Sequence, residues 1–177
     1  MRTDDVLKVF KGLDRKKDIT ISIDDGQKIW FKSEGSERTL HLIEETSSEN
    51  CPLPKLQFQV VFRATHKGFL KTLNSIIAVS DNITIAATRE GIDMEGKSES
   101  GYAHEKWDKW NTDLLELDVK EDSRAIYNID YIVKMMKATS KLCDNVKFEY
   151  ANKMPCRMTF NYNDSKFYFY LAPRIEG

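Results

Sequence analysis

IDYIVKMMKATSKLCDNVKF, residues 129–148, is the stretch from which the fold can be read. Val133 and Met136 fall on one side of a helical run, with Lys134 and Lys137 beside them. Asp144 closes the run and leads Asn145, Val146, Lys147 and Phe148, which alternate as a strand does. The same pattern occurs twice upstream. Asp81 leads Asn-Ile-Thr-Ile and Asp18 leads Ile-Thr-Ile, and the spacings agree: 81 − 18 = 63 and 144 − 81 = 63. Counting back from each Asp aligns Leu7, Leu70 and Val133, then Phe10, Leu73 and Met136. Lys8, Lys71 and Lys134 form a third column, and Lys11, Asn74 and Lys137 a fourth. Lysines at equivalent points of repeated helices suggest one basic surface, suited to a polyanion.

Outward from these anchors, residues 3–13 read as a helix with Thr3 as its cap. Asp4 and Asp5 lie at its positive end, and Val6, Leu7, Phe10 and Leu13 form its apolar stripe. Alternating runs at 18–24, 28–33 and 37–44 predict a meander, with turns at Asp25-Gly26 and Gly35-Ser36. Residues 45–56 are polar and then carry two prolines, so they read as a connector. Strands are expected at 57–63, 82–88, 91–96, 101–107, 113–119, 123–128, 145–150, 155–162 and 166–172, with helices at 66–79 and 129–141. The class is α+β, built from strand–helix–three-strand units whose first copy lacks its opening strand. The expected organisation is a half-domain at 1–44, a connector at 45–56 and a complete domain at 57–177.

Composition narrows the function. Net charge is −1, so any basic surface must be local; the first seventeen residues carry six Lys/Arg against three Asp. Three cysteines without paired spacing (Cys51, Cys143, Cys156) point to reduced thiols in an intracellular protein. No apolar run reaches the roughly 18 residues of a membrane span, so no membrane partner is expected. No nucleophile motif or phosphate-cradling glycine loop occurs, and His41, His66 and His104 lack ligand spacing. Asp18, Asp81 and Asp144 sit at equivalent turns of separate repeats, which argues against a carboxylate cluster. No catalytic residue, metal or cofactor is expected.

Three segments carry a family resemblance. Tyr168-Phe-Tyr-Leu-Ala-Pro-Arg-Ile-Glu176 resembles the last strand and tail of the DNA sliding clamps of archaea and eukaryotes, the proliferating cell nuclear antigen family. Ala78-Val-Ser-Asp-Asn-Ile83 resembles the end of the first helix of that family's second domain, and Asn152-Lys-Met-Pro155 the turn before its penultimate strand. Tyr131, Met135 and Lys137 are similar to residues of its last channel helix. The resemblance implies the clamp fold, with antiparallel sheets outside and helices inside. It also implies that this sequence starts just before the helix of the second of four repeats.

From the resemblance follow expectations for sites. Three clamp subunits close head-to-tail around duplex DNA, held non-specifically through phosphates. This implies DNA contacts from Lys8, Lys11, Arg15, Lys16, Lys17, Lys67, Lys71, Lys134 and Lys137. A front-face pocket for polymerases and other clamp-binding proteins is implied at Leu53, Leu56, Pro155, Tyr170, Leu171, Ala172, Pro173 and Ile175. A subunit interface is implied between 37–44 and about 100–107, with Leu40, Leu42 and Tyr102. The half-domain is expected to self-associate, to pair with a full-length clamp, or to fray. Two functions follow: a polymerase processivity factor and docking platform in replication and repair, or a non-encircling regulator that binds a full-length clamp or its clients. The compartment is expected to be the cytoplasm or nucleoid of an archaeon, or a eukaryotic nucleus.

Overall fold

In the computed structural model, residues 3–14, 16–24, 27–42 and 55–175 are described. The chain divides into two compact units, 1–53 and 54–177.

The first unit holds α1 (Thr3–Lys11) and the antiparallel meander β1 (Thr20–Asp24), β2 (Lys28–Ser33) and β3 (Ser36–His41). Helix α1 starts at Thr3 itself rather than being capped by it. Its buried contributions are Val9 and the following Leu13, which meet Phe31 of β2 with Val6, Ile19, Ile29 and Leu40 around them. This corrects the expected stripe. Leu7 is 52% exposed and Phe10 39% exposed, although the Phe10 ring meets Phe31 edge-on at 5.5 Å. The one-helix, three-strand unit has only one layer on which to close a core, so part of its apolar face stays uncovered.

The second unit contains β4 (Val60–Thr65), α2 (His66–Ile77), β5 (Asn82–Thr88), β6 (Gly91–Ser98), β7 (Gly101–Asp108), β8 (Leu114–Val119), β9 (Ser123–Asn128), α3 (Ile129–Thr139), β10 (Asn145–Tyr150), β11 (Cys156–Tyr162) and β12 (Ser165–Leu171). Two strand–helix–three-strand repeats are present, with β8 between them. The repeats exchange their opening strands. β4 pairs with β10 of the other repeat, and β9 pairs with β5, giving sheets ordered β12-β11-β10-β4-β8 and β7-β6-β5-β9. The Asp residues at 63-residue spacing take part in a matching exchange. The Asp144 carbonyl accepts the first N–H of α2, from His66 at 2.7 Å, and the Asp81 carbonyl accepts that of α3, from Ile129 at 3.0 Å. Thr65 and Asn128 cap the two helices with their side chains, on Gly68 N–H and Tyr131 N–H. Alternation puts Ile83 and Ile85, and likewise Val146 and Phe148, into one core. Phe62 stacks on Phe148 at 5.1 Å, and Phe69 meets both rings edge-on. His66 opens α2, and its Nε2 lies 2.8 Å from the Met136 carbonyl and 3.4 Å from the Thr139 hydroxyl, in the last turn of α3. The two helices are therefore antiparallel neighbours, and Leu73, Ile76, Val133 and Met136 are buried.

Candidate nucleic-acid interface and docking surfaces

The outward faces of α2 and α3 follow from helical periodicity. Burial of Phe69, Leu73 and Ile76 turns Lys67, Lys71 and Asn74 to solvent; burial of Ile132, Val133 and Met136 does the same for Lys134 and Lys137. In the first unit Lys8, Lys11, Lys16 and Lys17 are exposed, while Arg15 lies outside the described residues. Several of these cations have local partners. Lys8 lies 3.7 Å from Asp5, Lys17 3.2 Å from Glu34, and Lys134 2.6 Å from Asp130. The hydrogen bond to Asp130 holds the Lys134 ammonium above its ordinary pKa. Exposed pairs of this kind contribute little and exchange readily with another anion. Periodicity carried one step further reveals a residue missed from the candidate set. Adding 63 to Arg15 gives Ala78, and adding 63 again gives Lys141, which is exposed.

The tail is fixed by backbone and turn contacts. Arg174 N–H donates to the Ile126 carbonyl at 2.7 Å, so the chain after β12 runs beside β9. Pro173 and Ile175 line a cavity of about 110 Å³ with Arg124, Ala125, Ile126, Lys153 and Arg174. That basic rim is not evident from periodicity. Pro155, Tyr170 and Leu171 are half-buried and Ala172 is exposed; these residues do not line the cavity. Leu56 is half-buried, and Leu53 lies outside the described residues, as does most of the 45–56 connector. The turn at 152–155 is held from two sides. The Tyr127 hydroxyl donates to the Met154 carbonyl at 2.8 Å, and Lys153 N–H to the Arg124 carbonyl at 3.0 Å, with Lys153 at φ 54°. Burial raises the Tyr127 hydroxyl pKa, keeping the donor protonated. Beside the tail, Arg157 makes a two-pronged contact with Glu149 at 2.7 and 2.9 Å and lies over the rings of Phe58 and Tyr168.

Both strands named for a subunit interface are sheet edges, β3 in the first unit and β7 in the second. Tyr102 on β7 is 59% exposed and stacks on His104, which pairs with Asp93 at 2.8 Å. Leu40 on β3 is half-buried and packs against the small core of its own unit. Leu42 is half-buried, and its N–H donates to the Gln27 carbonyl at 2.8 Å. Trp107 is core, 3% exposed, whereas Trp110 is 79% exposed. Burial pushes the Cys156 thiol up to about 12. Among the described residues no cluster of three or more His, Cys, Asp or Glu could hold a metal ion, and no helix is long and apolar enough to cross a membrane.

The family model described as "Proliferating cell nuclear antigen, C-terminal domain" matches residues 52–175. The chain is similar to the DNA polymerase sliding clamp of Cenarchaeum symbiosum, 29% identical over 178 residues that span 100% of this chain and 72% of the relative. Similarity to that of Nitrosopumilus maritimus is 29% over 178 residues, with the same coverage. Among solved structures, the proliferating cell nuclear antigen of Thermococcus kodakaraensis superposes with a TM-score of 0.81 over 98% of this chain and 72% of that chain, at 18% identity. That of Entamoeba histolytica gives 0.82 over 99% and 71%, at 21% identity. At such identities these two structures speak to the fold: α+β, with antiparallel sheets and, among the described residues of this chain, three helices. The match over 52–175 carries the classification, and the chain belongs to the proliferating cell nuclear antigen family of sliding clamps.

Proposed function

We infer that this chain is a DNA-binding, non-enzymatic clamp component that tethers polymerases and other clamp-binding proteins to duplex DNA inside the cell. The observation that carries the reading is the exposure of Lys71, Lys134 and Lys137 at repeat-equivalent positions of α2 and α3, with Lys8 and Lys11 at the same positions of α1. Flexible ammonium groups bind phosphates without reading bases, as sliding requires. Lys16, Lys17 and Lys67 extend this basic set, with Arg15 before them in sequence. Clients would dock beside the tail, at Leu53, Leu56, Pro155, Tyr170, Leu171, Ala172, Pro173 and Ile175. Subunits would meet through the β3 and β7 edges, with Leu40, Leu42 and Tyr102 nearby.

The test is duplex affinity across a salt series, together with polymerase product length with and without the protein. Affinity that falls steeply with salt and is indifferent to sequence, with longer products, supports the reading. Absent DNA binding, coupled to tight binding of a full-length clamp, would replace it with the regulator.

A further inference from the structure

The cavity beside the tail lies wholly within the second unit and carries more charge than an apolar docking site needs. Its floor is apolar, formed by buried Ala125 and half-buried Ile126 of β9 and by Pro173. Its rim is cationic, with Lys153, Arg174 and Arg124 reaching it from three separate segments. Backbone bonds fix where two of these side chains start. Lys153 N–H donates to the Arg124 carbonyl at 3.0 Å, and Arg174 N–H to the Ile126 carbonyl at 2.7 Å. Carbonyls two residues apart along a strand face the same way, so both bonds use the edge of β9 away from β5, roughly 7 Å apart. Both cations are exposed, and among the described residues neither the Lys153 ammonium nor the Arg174 guanidinium has an ion-pair partner. The enclosed space is small. At about 110 Å³ it is well below the roughly 300 Å³ at which small-molecule and cofactor pockets begin. It takes one side chain rather than a nucleotide, and its floor offers apolar contact that a phosphodiester does not use.

We propose that this cavity selects clients by an acidic side chain. A glutamate of the docking peptide lays its methylenes on Ala125, Ile126 and Pro173 and sets its carboxylate between Lys153 and Arg174. The proposal rests on the reading that clients dock beside the tail, and it adds the class of client: a peptide with a glutamate flanking its aromatic anchor. The flanking position follows from the lining. Pro173 and Ile175 belong to both the cavity and the proposed docking site, whereas Pro155, Tyr170 and Leu171 do not line the cavity. The glutamate therefore stands outside the aromatic pair rather than within it. Because the backbone already holds both cationic residues, only side-chain freedom is lost when the carboxylate arrives. The chain as a whole has a net charge of −1, so attraction for an acidic segment has to come from a local site of this kind.

The test is fluorescence anisotropy of labelled peptides titrated with the full chain. The peptides share paired aromatic residues, and glutamate or glutamine is stepped through each flanking position. At one position glutamate should bind about five- to tenfold more tightly than glutamine, and the difference should shrink as salt rises. Lys153→Asn/Arg174→Gln should bring the glutamate peptide down to the affinity of the glutamine peptide; asparagine suits the φ of 54° at residue 153. Lys153→Glu/Arg174→Glu should reverse the preference, so that a lysine at that position binds more tightly than glutamate. Glutamate and glutamine binding alike at every position would overturn the proposal and leave the docking reading intact. So would a glutamate preference that survives Lys153→Asn/Arg174→Gln, with or without a loss of duplex binding. Peptides that fail to bind at all, glutamate-bearing ones included, would overturn the docking reading and the proposal with it.

Discussion

The backbone N–H of His66 donates to the carbonyl of Asp144 at 2.7 Å, joining the first residue of one helix to the turn that follows the other. This bond binds residues 78 positions apart (144 − 66 = 78), and Ile129 with Asp81 repeats it across the unit. A repeat is therefore completed by its neighbour. Cutting between the repeats would leave helix N-termini and β-edges unsatisfied on both sides.

Removing the lysine columns should change salt dependence more than sequence preference. Lys71→Ala, Lys134→Ala and Lys137→Ala combined should lower the slope of log affinity against log salt by about 2 to 3, near one for each phosphate that is no longer neutralised. Asn74→Lys, which fills the gap in the fourth column, should raise the slope by about 1. Fluorescence anisotropy of a labelled duplex over a salt series reads both.

Gly68 permits the close approach of Asp113, in the turn before β8, to α2. A Cβ there would fall 2.0 Å from Cγ of Asp113, whose carboxylate accepts from the Thr65 hydroxyl and whose carbonyl accepts Thr65 N–H at 2.9 Å. Gly68→Ala should destabilise the second unit by about 1–3 kcal/mol despite alanine's better helix propensity. Urea denaturation followed by near-ultraviolet circular dichroism should show the midpoint moving down. An unchanged or higher midpoint would mean that the Asp113 side chain yields freely.

Glu149 gives the second unit an acid-sensitive element. Burial raises its pKa, but hydrogen bonds from Arg157 and Lys147 outweigh burial and leave it below the ordinary carboxylate value. A carboxyl depressed in the folded state stabilises above its unfolded pKa of about 4.3, and that contribution disappears as pH falls through the lower folded value. Glu149→Gln should thus be less stable than the parent at pH 7, with the gap closing below about pH 4. Denaturant midpoints from pH 3 to 7 measure it.

Tyr127→Phe removes the hydroxyl that holds the Met154 carbonyl at 2.8 Å. The expected cost is about 1 kcal/mol in stability, with a larger fractional loss of client-peptide binding because the turn ending at Pro155 flanks the proposed docking site. Calorimetry with a peptide carrying paired aromatic residues compares the variant with the parent. Equal affinities would place docking elsewhere.

Much of the fold is written in local pattern. The Asp18, Asp81 and Asp144 spacing located the three helices seen among the described residues, because apolar residues at helical period must share a face. Pairing of β4 with β10 was not legible, since alternation fixes which side of a strand is buried but not which distant strand lies beside it. Leu7 and Phe10 show a second blind spot. Periodicity identifies an apolar face but not whether anything covers it. Leu40 on β3 is half-buried against the small core of its own unit, a placement that alternation along the strand does not distinguish from an interface position. Lys141 was readable by the same 63-residue step as Lys134, one helical turn beyond the residues first aligned. The cationic rim of Arg124, Lys153 and Arg174 comes from three separate segments and has no sequence signature.

The exchanged strands also set the order in which the protein is built. β4 registers with β10 from Thr65–Asn145 to Val60–Tyr150, so it has no partner on that side until some 80 further residues have been synthesised (145 − 65 = 80). Closing so long a loop is slow, and β4 must wait with an open edge meanwhile. The nascent second unit therefore passes through an interval in which Val60, Phe62 and Ala64, all buried at the end, are available to the wrong strand. Its yield should depend on how quickly the last third of the chain follows.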